Sequence, residues 1–393
     1  MTDYTLLLEK IRNLGMSHNW AITFVNRLKE DEEYFTVSEE DRKWAMERGF
    51  FPGRVELYGL NEDNWRDFLP DFQYSMMHPL NNHFLKWLDK LTLKYVLNSN
   101  GCECLMPDYY AYVENELCGG RYTYLMDCPD DIPKDKDFLW NLLKKFKVLA
   151  LKPNSGTAGG LGFIKLELRG DGIYENNKPI DMARVEEIRD TMRNYIITEY
   201  SSQHHELAGI WEDSECTLRV IMCKKPNPDK FAPYSWECIV SLARFGTKDS
   251  GTTSNLSAGG IGVAFDFEDG RLYGKGLQYR PFAKGNTVLS DRHPDTGVRF
   301  EGFMLPNWQY VKEKIVHLCQ HIGSLDYMGL DIIITENGMK LCEINTLPSI
   351  DYNQIICGPA LRNDKVRNFF LHKGMDSINS KEFYNAYTEC QTG

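Results

Sequence analysis

The segment LDIIITENGMKLCEIN, residues 330–345, contains two carboxylates and an amide that could bind a cation together: Asp331, Glu343 and Asn345. The segment predicts a β-hairpin whose turn holds either the Asn-Gly pair alone or the three residues 336–338. With the three-residue turn, Asp331 pairs with Glu343 and shares one face of the hairpin with Asn345. With the shorter turn, Asp331 would join the apolar face, and burying an unpaired charge is costly. Burial therefore favours the three-residue turn.

The two faces of this hairpin predict a cation site on one side and a hydrophobic core on the other. The apolar face consists of Leu330, Ile332, Ile334, Cys342 and Ile344. On the polar face, converging carboxylate and amide oxygens repel each other unless a cation lies between them, and they suit Mg²⁺ or Mn²⁺. Because protein-bound Mg²⁺ commonly also contacts substrate phosphates, the pattern indicates a nucleotide. A solvated polar face is the alternative.

A glycine-rich segment, LALKPNSGTAGGLGFIKLE at residues 149–167, places Lys152 before its glycines. A P-loop has its lysine after the glycines, at the start of a helix, whereas a strand-like pattern follows Gly162 here. The dinucleotide-binding fingerprint fails for the same reason. Two interpretations stay open: an ordinary glycine hairpin, or a flap whose bare N–H groups cover a phosphate chain.

A third polar pattern lies in the strand-like segment ECTLRVIM at residues 215–222. Its apolar residues alternate with Glu215, Thr217 and Arg219, which places these three on one face. Arg219 is then either solvated at a sheet edge or directed at a phosphoryl group.

The bulk composition narrows the class of protein that carries these patterns. The 393 residues suggest two or three domains, and a net charge of −11 argues against a general nucleic-acid or acidic-membrane binder. No run of about 18 apolar residues predicts a membrane span, and the N-terminus does not resemble a signal peptide. Eleven scattered cysteines predict free thiols in a reducing cytoplasm.

The elements that position these residues change in character along the chain. Residues 1–60 show helical patterns, with a stripe that stops at Gly15 and a capping box that begins at Ser38. From residue 146 strands dominate, interrupted by amphipathic helices that begin near Asp181 and extend over about 308–322. Hairpins with a few helices, lacking regular βαβ alternation, predict an α+β fold.

The lysine, the glycine segment, the strand arginine and the D…E-x-N hairpin, in this order, resemble the ATP-grasp superfamily over roughly residues 80–375. The segment RHPDTGVRFEGFMLPNW at 292–308 is similar to a motif of its sugar-transfer-associated, TupA-like branch, which serves polysaccharide biosynthesis. The resemblance implies an ATP-grasp fold, in which two α+β subdomains clamp ATP, here with a helical N-terminal extension. The expected regions are 1–75 (helical), 76–145 (linking), 146–205 (small subdomain with lid), 206–375 (large subdomain with metal site) and 376–393 (C-terminal tail).

The resemblance also assigns roles to individual residues. The nucleotide is expected to contact Lys90, Lys152, Ser155, Gly156, Gly159, Gly160, Glu199, Tyr200, Ser201 and Glu206. Within that set, 155–162 forms the lid, Tyr200 lies at the adenine edge and Glu206 at the ribose. The catalytic residues are expected to be Arg219, Arg244 and Asn255. Two magnesium or manganese ions are expected on Asp331, Glu343 and Asn345. The substrate is expected near His293, Thr296 and Arg299.

The activity that the resemblance implies is ATP- and Mg²⁺-dependent ligation of a carboxylate to an amine through an acyl phosphate. The substrates would be small molecules or glycan-linked groups. Phosphoryl transfer needs positioning and charge neutralisation more than a protein nucleophile, which fits a site of lysine, arginine and metal. The alternatives are a phosphotransferase acting on a hydroxyl group and a nucleotide-binding protein without catalysis.

Overall fold

The computed structural model describes residues 2–81, 89–99, 101–155, 161–225, 229–232, 234–278 and 288–391. The α-helices are α1 (Tyr4–Asn13), α2 (His18–Tyr34), α3 (Glu39–Glu47), α4 (Arg54–Tyr58), α5 (Asp71–Met76), α6 (Lys90–Leu97), α7 (Phe138–Phe146), α8 (Met182–Thr191), α9 (His205–Ala208), α10 (Trp308–His321), α11 (Asp351–Ile356), α12 (Asp364–His372) and α13 (Ser380–Thr388). The strands are β1 (Tyr109–Val113), β2 (Tyr122–Tyr124), β3 (Val148–Pro153), β4 (Ile164–Arg169), β5 (Gly172–Glu175), β6 (Lys178–Ile180), β7 (Tyr195–Glu199), β8 (Thr217–Lys224), β9 (Trp236–Phe245), β10 (Ile261–Ala264), β11 (Gly276–Gln278), β12 (Val288–Ser290), β13 (Tyr327–Thr335) and β14 (Gly338–Asn345).

The first sheet contains seven antiparallel strands in the order β2-β1-β7-β3-β4-β5-β6. Helices α7 and α8 pack against it through buried side chains such as Leu142, Val185 and Ile188. The helix expected near Asp181 is α8, and the Asp181 carboxylate caps it by accepting from Arg184 N at 3.0 Å. Because β1 and β2 come from the stretch 76–145, this sheet extends across the boundary expected at residue 146.

The second sheet also contains seven antiparallel strands, in the order β12-β11-β10-β9-β8-β13-β14. Helix α10 covers one face, and its buried Val311 and Ile315 belong to the same core as Leu218 and Leu330. The alternation expected in β8 is confirmed, since Leu218, Val220 and Met222 are all buried in this core. Together the two sheets and their helices confirm the α+β prediction.

The β13–β14 hairpin confirms the expected pairing of Asp331 with Glu343 but not the expected turn. Thr335 pairs with Gly338, so the turn has two residues, and Gly338 adopts a positive φ of 143°. Ile332 lies opposite Leu341, so Cys342 is an extra residue that forms a β-bulge in β14. Because of this bulge, Asp331 still pairs with Glu343 although the turn is one residue shorter than expected. The prediction that Cys342 faces the core was therefore wrong: Leu341 is fully buried there, and Cys342 faces a cavity.

The helical N-terminal region and the C-terminal tail share one core. Helices α1, α2, α3, α5 and α13 contribute buried residues such as Leu7, Phe24, Phe72 and Phe383. Helix α1 ends before Gly15, and the Ser38 hydroxyl accepts from Asp41 N at 3.0 Å to cap α3, as the sequence predicts. The described part of the expected C-terminal tail, residues 376–391, thus contributes helix α13 to the N-terminal core.

Arg54 and Tyr74 attach this helical region to the segment that follows the second sheet's last strand. Arg54 binds Asp71 at 3.0 Å and Asp351, in α11, at 3.5 Å. The Tyr74 hydroxyl donates to the carbonyl of Pro348 at 2.5 Å, in the segment that leaves β14. These contacts place α2 and α4 beside the polar face of the β13–β14 hairpin. None of the helices in the described ranges is long and apolar enough to cross a membrane.

Candidate active site

A cavity of about 660 Å³ lies between the two sheets. The first sheet lines it with Ala150 and Lys152 of β3, and the second sheet lines it with the polar faces of β8, β9, β13 and β14. The segments 252–257 and 347–352 and the helices α2 and α4 close its remaining sides. The cavity therefore collects the polar residues that the sequence placed on separate strands.

Asp331 lies among the residues with which the second sheet lines the cavity, and two arginines bind its carboxylate. Arg219 pairs with it across neighbouring strands, through Nε to Oδ1 and through Nη2 to Oδ2 at 3.0 Å. Arg244 Nη2 lies 3.1 Å from the same Oδ2. Burial alone would raise the pKa of Asp331, but the two guanidinium charges outweigh it and hold the pKa well below its usual range. Asp331 is thus a charged anchor for both arginines.

Glu343 lies beside Asp331 and carries charge that the protein only partly neutralises. Lys90 Nζ is 3.9 Å from its Oε2, and Asn345 Nδ2 donates to its Oε1 at 3.3 Å. Burial, and then the neighbouring Asp331 carboxylate, raise the pKa of Glu343. A divalent cation would relieve this excess of negative charge, and carboxylate and amide oxygens are suitable ligands for one.

The three expected metal ligands differ in what they can still offer a cation. Asp331 uses three of its roughly four acceptor positions on the arginines, which leaves one on Oδ1. Glu343 keeps Oε2 available, and the Asn345 amide oxygen has no hydrogen bond within the described ranges. The residues therefore fit a cation held mainly by Glu343 and Asn345, with Asp331 contributing one oxygen.

The first sheet contributes two lysines to the cavity. Lys152, at the end of β3, has no carboxylate within 4.0 Å among the described residues. Asn154 Oδ1 accepts from Leu91 N at 3.1 Å, and its amide donates to Asp89 at 2.6 Å. These bonds hold the start of α6 against the end of β3, which brings Lys90 into the same cavity as Lys152.

A sequence model of the sugar-transfer associated ATP-grasp family matches residues 73–369, about three quarters of the chain. The chain belongs to this family. Solved structures with a similar fold include the purK N5-carboxyaminoimidazole ribonucleotide synthetase, at 10% identity and a TM-score of 0.35, with 71% of this chain and 52% of that one covered. The ATP-grasp ligase PsnB is 11% identical, with a TM-score of 0.36 and coverage of 75% and 63%.

A third similar structure is a D-alanine–D-alanine ligase from Bacillus anthracis, at 13% identity and a TM-score of 0.35, with 85% of this chain and 78% of that one covered. The chain thus spans about half the length of the purK synthetase and 63% of PsnB. No curated protein sequence is significantly similar to it. The family match begins at residue 73 and therefore does not include the N-terminal helices α1–α4.

The cavity between the two sheets also includes several of the other residues that were expected to contact the nucleotide or the substrate. Arg244, Asn255, Tyr200 and Ser201 all line it. Ser155 is exposed and does not line the cavity, although Asn194 Nδ2 donates to its hydroxyl at 3.4 Å. The expected lid glycines Gly156, Gly159 and Gly160 lie outside the described residues.

Two acidic residues expected at the nucleotide do not line the cavity. Glu199 pairs with Lys340 Nζ at 3.1 Å and accepts from Asp108 N at 3.0 Å. Glu206 lies in a cluster with His204 and His205.

A different carboxylate, Glu215, lines the cavity and accepts a hydrogen bond from the Tyr200 hydroxyl. Burial raises the pKa of Glu215, and its place on the polar face of ECTLRVIM was the signal available in the sequence.

The residues expected near the substrate build a turn outside the cavity. His293 is buried, stacks on Trp211 at 5.3 Å between ring centroids, and bonds the carbonyl of Gly246 at 2.7 Å through Nε2. Its Nδ1 accepts from Thr296 N at 3.3 Å, and the Thr296 hydroxyl donates to Ile210 O at 3.0 Å. Arg299 forms a backbone bridge to Arg292. Burial lowers the pKa of His293, in keeping with a neutral ring that fixes the turn.

Sequence reasoning missed the contribution of the N-terminal helices. Arg27, Glu30, Asp31 and Tyr34 line the cavity from α2, at the spacing i, i+3, i+4 and i+7 that defines one helix face. Arg54 of α4 lines it as well. The spacing was visible in the sequence, but nothing local indicated which surface that face would meet.

Proposed function

We propose that this member of the ATP-grasp family is an ATP- and Mg²⁺-dependent ligase that joins a carboxylate to an amine through an acyl phosphate. The observation that carries the proposal is the charge arrangement in one cavity. Glu343 and Asn345 offer oxygens to a cation, Arg219 and Arg244 are fixed beside them on Asp331, and Lys152 faces the cavity without a carboxylate partner. Such a set suits charge stabilisation in phosphoryl transfer.

The reaction we propose has two steps. The substrate carboxylate oxygen attacks the γ-phosphorus of ATP, the bond to the β-phosphate oxygen breaks, and ADP leaves. The amine then attacks the acyl carbon and loses a proton, and inorganic phosphate leaves. The phosphoryl group enters the first step from ATP and departs in the second, so no covalent bond to the protein is needed.

The residues of the chain have distinct parts in these steps. Lys152 and Lys90 would neutralise phosphate charge, and the guanidinium groups of Arg219 and Arg244 would stabilise the transferred phosphoryl group. A magnesium ion held by Glu343 and Asn345 would supply further charge at the phosphates. Burial raises the pKa of Cys342 to about 11, so this thiol stays protonated near neutral pH and is not a competing nucleophile.

We propose further that the product contributes to a polysaccharide or glycopeptide, and the description of the matched family as sugar-transfer associated supports this. The eleven cysteines form no disulfide, and together with the use of ATP this supports an assignment to the cytoplasm.

The test is a screen of carboxylic acids with ATP, Mg²⁺ and hydroxylamine, following ADP release and hydroxamate formation. A ligase gives hydroxamate that depends on the acid. Phosphorylated acceptor without hydroxamate would instead support a phosphotransferase, and no ADP release with any acceptor would support a nucleotide-binding protein. Glu343→Gln should lose the activity, whereas Glu336→Gln, on the exposed turn of the same hairpin, should keep it.

A further inference from the structure

Helix α2 forms a wall of the cavity although it lies outside the residues that match the ATP-grasp family. Its cavity face carries Arg27 and Glu30, one turn apart and opposite in charge. A pair at this spacing often forms an ion pair, yet their charged atoms do not approach within 4.0 Å. The helix therefore presents two separate, opposite charges to the cavity.

Arg27 differs from the other arginines of the cavity in having no carboxylate partner among the described residues. Arg54 is paired with Asp31, Asp71 and Asp351, while Arg219 and Arg244 share Asp331. The only hydrogen bond that Arg27 makes in the described ranges is from Nη2 to the Ser349 hydroxyl, at 2.5 Å. Most of its guanidinium donors are therefore available to an anion.

Glu30 has the complementary property. It makes no hydrogen bond or ion pair with any other described residue, and the positive charge that acts on its carboxylate is that of Arg27. It is only partly buried, so a ligand in the cavity can reach its carboxylate. A carboxylate and a guanidinium that are each unpaired match the two charges of a zwitterion.

The bond to Ser349 attaches Arg27 to the segment that follows the candidate metal ligand Asn345. Ser349 follows Asn345 by four residues, a stretch that spans at most about 14 Å. The intervening Pro348 packs directly against Gly329, where an added Cβ would come within 2.6 Å of the proline ring, and Gly329 pairs with Asn345. The charge pair and the candidate metal ligands thus line the same cavity, with at most about 14 Å of chain between Ser349 and Asn345.

We propose that Arg27 and Glu30 form the binding site for the amine substrate and that this substrate is an amino acid. Its carboxylate is bound by Arg27 and its ammonium group by Glu30, whose carboxylate accepts the proton that the nitrogen loses before it attacks. Tyr34, one turn beyond Glu30, provides an aromatic wall. The inference rests on the proposed ligase activity and adds the class of amine. It also gives the N-terminal helices a role in substrate selection.

The experiment uses the full chain and an acid that gives hydroxamate in the screen. Glycine, L-alanine, D-alanine, L-glutamate and L-lysine each replace hydroxylamine and are compared with their α-amides by kcat/KM for ADP release. The amide is the stricter comparison, because its less basic amino group is intrinsically better able to attack near neutral pH. A charge-assisted hydrogen bond from Arg27 predicts that at least one amino acid is preferred about 10- to 100-fold over its amide.

Variants of α2 identify the origin of the preference. Arg27→Gln should reduce it to less than about 3-fold, mainly through a higher KM for the amino acid, and Arg27→Lys should retain part of it. Glu30→Gln should raise the same KM. Lys29→Gln, which removes a charge from the exposed side of the same helix, should change neither. Hydroxamate formation by each variant shows that it is folded and binds ATP.

Two results would overturn the inference: equal use of amides and amino acids by the wild type, or a preference that Arg27→Gln retains. Failure of the ligase proposal looks different, because then no acid gives hydroxamate and no amine enters the assay. That result would remove the basis of the inference as well.

Discussion

Replacing Asp331 by asparagine should destabilise the protein before any question of catalysis arises. The carboxylate is buried and is the shared partner of two buried arginines, Arg219 and Arg244. Removing one partner of a buried ion pair typically costs about 3–5 kcal/mol, because the remaining charge is left uncompensated. Asparagine can still accept one hydrogen bond, so we expect about 3 kcal/mol. The variant should therefore lose stability as well as activity.

The assay is urea unfolding followed by tryptophan fluorescence, with Asp171→Asn as the matched control, because Asp171 is exposed and makes no side-chain hydrogen bond or ion pair among the described residues. The control should change the free energy of unfolding by less than about 0.5 kcal/mol. The pKa of Asp331 is lower in the folded protein than in the unfolded chain, so its ion pairs contribute fully above about pH 4 and are lost as pH falls further. The difference between wild type and variant should shrink below that pH.

An Asp331→Asn variant that unfolds at the same urea concentration as the wild type at pH 7 would refute this reasoning. It would mean that the two guanidinium groups find other partners or water, and that Asp331 does not organise the arginines of the site.

Three further variants test other parts of the site. Glu343→Gln should leave the unfolding midpoint of the free protein unchanged or slightly higher, because burial and Asp331 already raise the pKa of this carboxyl. The same variant should lose the increase in melting temperature that Mg²⁺ with ADP produces in the wild type. Lys152→Ala should weaken ATP binding, measured by calorimetry, about 10- to 100-fold, whereas Lys178→Ala, at an exposed lysine, should leave it unchanged. Equal ATP affinities for the two variants would contradict the assignment of Lys152 to the nucleotide. His293→Ala should lower the melting temperature and leave the KM for the acid unchanged, whereas a raised KM with unaltered stability would return His293 to the substrate site.

The sequence predicted the polar faces of individual strands well because side-chain alternation is a local property. Arg219 and its apolar neighbours face the sides expected, and Asp331 pairs with Glu343. The turn was wrong because a bulge at Cys342 shifts the register in the middle of the hairpin, and no pattern of apolar residues marks a bulge. The error exchanged Cys342 and Leu341 between the cavity and the core.

The remaining differences come from contacts between segments far apart in the chain. The strand order places β8 next to β13, so Arg219 meets Asp331 directly, and this pairing could not be read from either segment alone. The same holds for Arg27, which meets Ser349 across more than three hundred residues. His293 was expected near the substrate because its motif resembles that of the family. In the structure it fixes a turn, and its role at the substrate stays a prediction.

The measurement that tests the central claim most directly is oxygen transfer from the substrate acid. The acid identified by the hydroxamate screen is labelled with ¹⁸O in its carboxylate and incubated with the protein, ATP, Mg²⁺ and the amine, and the released phosphate is analysed by mass spectrometry. An acyl phosphate intermediate predicts that each phosphate carries one ¹⁸O atom from the acid. Unlabelled phosphate accompanying formation of the amide product would contradict it.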